Sequence, residues 1–363
     1  MIDPVENAAQ GSGALPPAAG RRRVWASMGR AGLLVAGALA LGGAAPAPKG
    51  PAPLRPAPLR IAFLAAGAQN GFNQSVWQGI RQAAARQRGV EVTLYDGAFD
   101  STLQYNQLED VIASHRYDGI ILFPNDSVSI ASAVRHAGAV GIRTVAVEFP
   151  IGPQLDELAP QVPGVVATVA ARPSDGARAQ AQDVVAYCAG RPQCNVVLVV
   201  GQKVYPFDLL RYRTYLATFA PHRNIRVVAT IEGNYDAGTA MSGMLDVLQV
   251  NRRIDAVVST ADIQTIGVEM ALKSYGIRPA SVHLVGSGGS QIAVTALRQG
   301  RWAATYGTLT ASMGSAALDA LAAALRGHKG PAVIDADRLA PLPRIWTQET
   351  MRAHPAFTAQ WAG

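Results

Sequence analysis

The sequence is poor in cysteine, in charge and in aromatic side chains, and each shortage excludes a class of protein. Two cysteines in 363 residues exclude a zinc-cluster scaffold and a small disulfide-dense domain. Only 16% of the residues are charged and 49% are hydrophobic, which excludes a disordered chain. The net charge of +7 comes partly from Arg21, Arg22, Arg23 and Arg30, and no basic run follows them. Nucleic-acid binding is therefore not expected.

The N-terminal residues have the order of an export signal. Three arginines (21–23) precede an apolar, uncharged stretch over residues 31–45, and small residues follow. The stretch of about 15 residues is shorter than the roughly 20 that span a bilayer. We therefore expect residues 1–48 to be a cleavable signal peptide with an N-terminal extension; an uncleaved membrane anchor is the alternative. The Pro-rich residues 49–59 predict an extended linker.

From residue 60 onward, short apolar runs alternate with stretches of helical periodicity. Strands are predicted at 61–65, 90–95, 119–123 and 143–147, with helices between them, and the rhythm lapses for about fourteen residues after Pro150. It then resumes to the end of a long helix at residue 325. The pattern predicts the α/β class, with two Rossmann-like lobes whose parallel sheets are covered on both faces.

Cys188 and Cys194 flank a short turn between a predicted helix and a predicted strand. In an exported protein, a pair this close is expected to form a disulfide that closes a small loop. The alternative is two separate buried thiols. In either case the pair would affect stability rather than chemistry.

Polar and aromatic side chains follow several of the predicted strands, where ligands of parallel sheets bind. The motifs are Asn70-Gly-Phe72, Pro124-Asn-Asp126-Ser, Glu148-Phe149, Arg211 with Thr214-Tyr215, Asn234-Tyr-Asp236, and Asp262 in Thr-Ala-Asp. Amides and carboxylates bind hydroxyl groups, and aromatic faces stack on sugar rings. Together with Tyr117-Asp-Gly-Ile-Ile, these motifs and their order along the chain resemble the type I periplasmic binding proteins of the ribose and galactose group. The resemblance covers residues 60–325.

The resemblance implies two lobes joined by a three-segment hinge that closes on a ligand. We expect hinge crossings near residues 149–154, 287–290 and 308–312. The N-terminal lobe would then comprise residues 60–149 and 287–310, and the C-terminal lobe residues 150–286 and 311–345. Residues 346–363 would form a C-terminal tail.

The resemblance also implies a function in the periplasm. A monomeric protein of this kind captures a carbohydrate or a similar small polar molecule and delivers it to an ABC-type permease in the inner membrane. The alternative is a ligand sensor of the same fold, which signals to a membrane histidine kinase or a chemoreceptor without transport. Neither alternative involves a nucleic acid or a cofactor.

The resemblance can be carried over to individual residues. Positions that commonly touch ligand in the family hold Asn70, Phe72, Asp126, Arg211, Asn234 and Asp262. The candidate site further includes Asn73, Glu148, Phe149 and Tyr235. Relatives have a second aromatic residue at the position of Asn73, and they often have Asp-Arg at the positions of Glu148 and Phe149. Because Gly288 also stands in place of an aspartate, we expect a ligand less hydroxylated than ribose. Asp126 and Asp262 have an alternative role as helix caps, and Arg211 as a solvated side chain.

Enzyme chemistry finds little support in the sequence. Residues 286–290 (Gly-Ser-Gly-Gly-Ser) do not form a nucleophile elbow, and no matching histidine follows at a strand end. The histidines show no paired metal-ligand spacing. We expect neither catalysis nor a metal site.

Overall fold

The structure, a computed structural model, describes residues 57–339 and 341–363. The expected signal peptide (1–48) and residues 49–56 of the expected linker lie outside the described residues. None of the helices in the described ranges combines the length and the apolar character that a membrane crossing needs.

The first sheet has six parallel strands in the order β11-β5-β4-β3-β1-β2. Its strands are β1 (Leu59–Ala65), β2 (Val90–Asp96), β3 (Gly119–Leu122), β4 (Arg143–Glu148), β5 (Val165–Ala170) and β11 (Val333–Asp335). With α1 (Gly71–Arg86), α2 (Ser101–Ala113), α3 (Ala131–Ala139) and α9 (Thr310–Leu325), it forms what we call the first lobe.

The second sheet also has six strands, in the order β12-β10-β9-β8-β6-β7, and only the edge strand β12 is antiparallel. The strands are β6 (Cys194–Val200), β7 (Ile225–Glu232), β8 (Ala256–Ser259), β9 (His283–Ser287), β10 (Ala304–Tyr306) and β12 (Ile345–Thr347). The second lobe is completed by α4 (Pro173–Cys188), α5 (Pro206–Phe219), α6 (Ala237–Val250), α7 (Asp262–Ser274), α8 (Gln291–Arg298) and α10 (Gln348–Ala353).

Successive residues of the central strands enter cores on opposite faces of their sheets. In β1, Ile61 and Phe63 enter one buried cluster, whereas Ala62 and Leu64 enter another. In β6, Val197 and Val199 face one side of the second sheet, and residues 196, 198 and 200 face the other. Side chains alternate across a strand, so continuous apolar runs are stable only where helices cover both faces. The structure confirms the predicted α/β class with two lobes.

The boundaries between the lobes differ from the expected ones. β5 pairs with β4, so residues 149–164 are only the connection between two strands of the first sheet, and the first crossing lies at 171–172. Residues 287–290 follow β9, which pairs with β8, and they remain in the second lobe. The other crossings lie at 307–309, close to the expected 308–312, and between β11 and β12. Sheet membership depends on strand pairing, which the lapse in periodicity after Pro150 does not reveal.

Two further features complete the second lobe. Cys188, the last residue of α4, and Cys194, the first residue of β6, are joined by a disulfide. The expected tail (346–363) contributes to β12 and contains α10, and Trp361 within it is buried. The tail is therefore part of the folded protein.

Helices α1 and α9 approach each other closely through glycine. A Cβ atom on Gly314 of α9 would lie 2.0 Å from the backbone oxygen of Val76 in α1. Since no real Cβ contact is this short, the two helices can pack in this way only without a side chain at position 314. This contact holds α9 on the first lobe, although β10, the strand before it, lies in the second.

We expect Gly314→Ala to lower the free energy of unfolding by about 1–3 kcal/mol, because the added methyl group separates the helices. Helix propensity alone favours alanine by about 1 kcal/mol, so a net loss isolates the contact. The control is Gly238→Ala in the first turn of α6, where the new Cβ atom meets only an Asp236 oxygen at 3.2 Å. Urea unfolding measures both; equal stabilities of the two variants would contradict the interpretation.

Candidate ligand site

The carboxyl ends of the strands of both sheets face a cavity between the lobes. Its volume is about 560 Å³, including the part that is open to solvent. Seven of the residues expected from the sequence line it: Asn70, Phe72, Asn73, Glu148, Phe149, Arg211 and Tyr235. Side chains from the first lobe and from the second lobe therefore face one cavity.

Unfavourable backbone conformations cluster around this cavity. Six of the described non-glycine residues have a positive φ angle, and four of them line the cavity or its mouth: Phe99, Glu148, Asn234 and Tyr235. A fifth, Ala98, directly precedes Phe99. The sixth, His115, lies in a turn after α2. Such conformations persist only where surrounding contacts hold them, and they concentrate at ligand sites. The backbone of both lobes is therefore set to place these side chains at the cleft.

Arg211 is the buried cation of the cavity. Its Nη2 group donates to Asp208 Oδ1 and to the Tyr235 hydroxyl, both at 2.5 Å, whereas Nε has no partner among the described residues. The guanidinium carbon lies 5.7 Å from the ring centroid of Phe149 and 5.6 Å from that of Phe207. Burial lowers the pKa of Arg211, but the oxygens of Tyr235 and Asp208 outweigh this effect and raise it overall. The side chain therefore keeps its charge and has a free donor.

Glu148 is the acidic group of the cavity. Its carboxylate forms no hydrogen bond or salt bridge with the described residues, although the Arg211 guanidinium is near enough to attract it. Burial raises the pKa of Glu148 to about 7, and this attraction opposes the increase. A group between Glu148 and Arg211 could donate to the first and accept from the second.

Aromatic contacts bring the two lobes together on either side of the charged pair. Phe149 of the first lobe stacks on Phe207 of the second lobe, with ring centroids 4.0 Å apart. Phe99 stacks on Tyr235 at 5.6 Å, and the Tyr205 hydroxyl donates to the Phe99 carbonyl at 2.5 Å. Because these contacts cross the cleft, the structure shows the lobes in a closed arrangement.

Two amides at the start of α1 are held by the backbone. Asn70 caps the helix, since its Oδ1 accepts from the backbone N–H groups of Phe72 and Asn73. Asn73 accepts from the Ala66 N–H through its own Oδ1. In both residues the NH₂ group is the part of the side chain that can serve a ligand. Phe72 packs edge-on against Phe123 and Trp361.

Three of the expected ligand residues lie elsewhere. Asp126 accepts from the backbone N–H groups of Val128 and Ser129 and so holds the turn that precedes α3; the N-cap of α3 itself is Ile130, so Asp126 is not a helix cap either. Asn234 is exposed at the mouth of the cleft, outside the main cavity.

Asp262 is fully buried in the second lobe, behind the cavity wall. Its Oδ2 accepts from the Ser290 N–H and its Oδ1 from the Thr305 hydroxyl, both at 2.7 Å. Burial raises the pKa of Asp262 to about 6. The carboxylate holds the 287–290 loop in place, and the expectation of ligand contact is corrected accordingly.

Several cavity residues were not expected from the sequence: Phe99, Phe123, Thr260, Ala261, Ile263, Ser287 and Trp361. Phe99 follows β2 and could have been found by the strand-end rule. Trp361 carries no such signal, because no predicted element places the C-terminal residues near the cleft. Thr308, which the resemblance aligns with a glutamine of the family, also lines the cavity. Across the described residues, no cluster of three or more His, Cys, Asp or Glu side chains could hold a metal ion.

Comparison with known proteins defines the family. Residues 61–329 match the family described as "Periplasmic binding protein domain", and the chain belongs to it. It is 26% identical over 267 residues to the ribose import binding protein RbsB of Bacillus subtilis strain 168, covering 74% of this chain and 82% of that protein. It is 25% identical over 249 residues to the D-allose-binding periplasmic protein of Escherichia coli K12, covering 68% and 78%.

Solved structures share the fold. A solute-binding protein from Agrobacterium vitis with bound D-fucose has a TM-score of 0.72 at 18% identity, covering 82% of this chain and 98% of that one. One from Actinobacillus succinogenes 130z with bound D-allose has a TM-score of 0.69 at 22% identity, covering 81% and 99%. The chain is thus a type I periplasmic binding protein of the ribose and galactose group, a family of sugar-binding periplasmic proteins.

The pKa of Glu148 predicts a pH dependence of stability. The folded state keeps this proton up to a pH of about 7, whereas the unfolded chain loses it near the ordinary value of 4.5. Stability from this group is therefore lost as the pH rises from about 4.5 to about 7. Relative to the wild type, Glu148→Gln should gain about 2 kcal/mol of unfolding free energy across that interval. Urea unfolding between pH 4.5 and 8 measures it, with exposed Glu91→Gln as the control. A pH-independent difference would contradict the prediction.

The buried hydrogen bonds of Asp262 predict that its replacement lowers the stability of the protein and does not only weaken ligand binding. Asp262→Ala removes an acceptor from two buried donors and should lower the unfolding free energy of the ligand-free protein by about 3 kcal/mol. The matched control is Asp236→Ala, an exposed cap of α6 that accepts from the Thr239 N–H, with an expected loss of about 1 kcal/mol. If Asp262→Ala proves no less stable than the control, the structural role is wrong.

Proposed function

We propose that this protein captures a sugar or a similar small polar molecule between its two lobes in the periplasm, as a monomer, and delivers it to an ABC-type importer. The observation that carries the proposal is the pair of Arg211 and Glu148 in the cavity between the lobes. The guanidinium has an unpartnered Nε and the carboxylate has no protein partner. A hydroxyl group can satisfy both, because it donates and accepts.

The residues around this pair support a ligand with one apolar side. Phe72, Phe123 and Phe149 supply ring surfaces, and Asn70, Asn73 and Thr308 are among the further polar groups. Aromatic faces cover the C–H face of a sugar ring, whereas a hydroxyl group buried without a partner costs about 1–3 kcal/mol. The ligand-binding residues in this proposal are Asn70, Phe72, Asn73, Glu148, Phe149, Arg211 and Tyr235.

The relatives support the same class of ligand. Proteins of this fold include one named for ribose import, one named for D-allose and structures with D-allose and D-fucose bound. The family consists of periplasmic binding proteins. Closure then follows from ligand contacts that exist only when the lobes meet.

A thermal-shift screen tests ligand capture. The probes are D-ribose, D-allose, D-fucose, L-arabinose, myo-inositol and glycerol, each added to the purified protein. A ligand at a hundred times its dissociation constant adds about 2.7 kcal/mol of stability and raises the melting temperature visibly. Uptake of a labelled hit should then fail in cells that lack this protein and return with the wild-type chain. Flat melting curves across the panel would contradict capture of these compounds, and uptake unchanged by the deletion would contradict delivery.

Arg211 should dominate the affinity for any probe that binds. Arg211→Met removes a buried charged donor and should weaken binding at least about thirtyfold, since truncation of a buried charged partner costs 2–5 kcal/mol. Arg213→Met, two residues along α5 and exposed, is the matched control and should bind like the wild type. Isothermal titration calorimetry measures both, with circular dichroism to verify folding. Unchanged affinity of a folded Arg211→Met variant would contradict the site.

A further inference from the structure

The C-terminal segment 357–363 crosses from the second lobe to the first beside the cavity; we call it the strap. It begins at Phe357, whose ring packs edge-on against Trp346 with centroids 4.9 Å apart. Arg298 of α8 donates to the Phe357 carbonyl at 2.8 Å. The start of the strap is therefore fixed to the second lobe.

The strap forms hydrogen bonds with both lobes. Toward the first lobe, Ser75 donates to the Gln360 carbonyl, and the Gln360 side chain accepts from the Ser312 N–H at 3.0 Å and donates to the Ser312 hydroxyl at 2.8 Å. Toward the second lobe, Gln291 donates its N–H to the Trp361 carbonyl at 2.9 Å. Gln360 and Trp361 thus join α1 and α9 to α8, in addition to the three hinge crossings.

Trp361 carries this connection into the ligand cavity. The residue is only 7% exposed, and its ring centroid lies 5.7 Å from that of Phe72, with the two ring planes at 74°. The indole Nε1 donates to the Gly288 carbonyl at 2.8 Å, so the ring offers the cavity only apolar surface. A Cβ atom on Gly288 would lie 2.8 Å from the indole, so glycine is required beneath it.

Apolar residues share the cavity with Trp361: Ala261 and Ile263 of the second lobe and Phe72 of the first lobe. Asn70 also lines the cavity, and its oxygen is used by the helix cap. A ligand hydroxyl buried against the apolar residues would lose its hydrogen bonds to water and gain few in return.

We propose that Trp361, positioned by the strap, contacts the bound ligand and selects sugars with an apolar group beside the indole, such as the methyl group of a 6-deoxyhexose. This inference rests on the proposed function and specifies its ligand class. Gln360 is a positioning residue, because it holds the strap on Ser312. A hydrophobic pocket discriminates against an added hydroxyl by about tenfold to a hundredfold.

Matched sugar pairs test the selection. Calorimetric titrations of the full protein use D-fucose against D-galactose and L-rhamnose against L-mannose, which differ only at C6. The wild type should bind a deoxy sugar at least about tenfold more tightly than its partner. Trp361→Ala should lose most of this preference, Trp361→Phe should keep part of it, and Gln360→Ala should reduce it. Trp77→Phe, which removes a tryptophan that packs on Phe63 away from the cavity, should behave like the wild type.

The outcomes separate this inference from the proposed function. Binding of the hexoses as tightly as the deoxy sugars, or an unchanged preference in folded Trp361→Ala or Trp361→Phe, overturns the role of Trp361 and leaves sugar capture intact. No binding of any probe here or in the thermal-shift panel overturns both. Tryptophan emission gives a further readout: the change caused by a bound deoxy sugar should be the same in the wild type and in Trp77→Phe, and clearly smaller in Trp361→Phe. An undiminished change in Trp361→Phe would contradict direct contact.

Discussion

A positive charge buried between two lobes is the constraint on which the rest of the site depends. Removing a guanidinium from water is costly unless its donors are paired. Here Asp208 and the Tyr235 hydroxyl satisfy Nη2, and the rings of Phe149 and Phe207 lie against the cation. Asp208 in turn accepts from the Gln202 N–H, which ties the charge to the loop after β6. The second lobe thus holds Arg211 in place, with Nε buried and without a partner among the described residues.

The first lobe contributes the groups that act on this charge only when the cleft is closed. Glu148 and Phe149 stand at the end of β4, where the positive φ of Glu148 turns the chain toward the cavity. Phe99 makes the corresponding contact with Tyr235 from a second strained turn. Strained conformations on both sides of the cleft are stable because the surrounding sheets fix them. A ligand that completes the hydrogen bonds of Arg211 and Glu148 therefore favours closure through contacts from both lobes.

Much of the architecture could be predicted because it depends on local patterns. Apolar runs such as β1 and β6 and the periodicity of the helices give the two lobes, and the strand-end rule finds Glu148, Phe149 and Tyr235. The rest of the architecture and of the site depends on contacts between residues that are distant in the sequence. β5 belongs to the first sheet because of its partner β4, and Asp262 faces Ser290 and Thr305 rather than the cavity. Ligand contact and helix capping both suit the place of Asp262 in the first turn of α7, but it performs neither, because its partners Ser290 and Thr305 lie on distant segments.

The position of Trp361 is still harder to predict from the sequence, because it depends on contacts with α8 and with Gly288 that no local pattern encodes. From the sequence, Gly288 indicates only that this chain lacks an aspartate that binds ligand in the family. In the structure it is also the space that the indole occupies. A glycine at position 288 therefore does two things: it removes a polar side chain from the cavity, and it lets the apolar face of Trp361 take that space.

The central claim is that a ligand hydroxyl completes the pair of Glu148 and Arg211. Donation to the carboxylate stabilises its charged form, so binding should lower the pKa of Glu148 from about 7 and release a proton. Calorimetric titration near pH 6.5, in two buffers of different ionisation enthalpy, measures this proton directly. Net proton release is expected on binding of a sugar, and it should disappear in Glu148→Gln. Binding without proton exchange, or release that persists in Glu148→Gln, would contradict it.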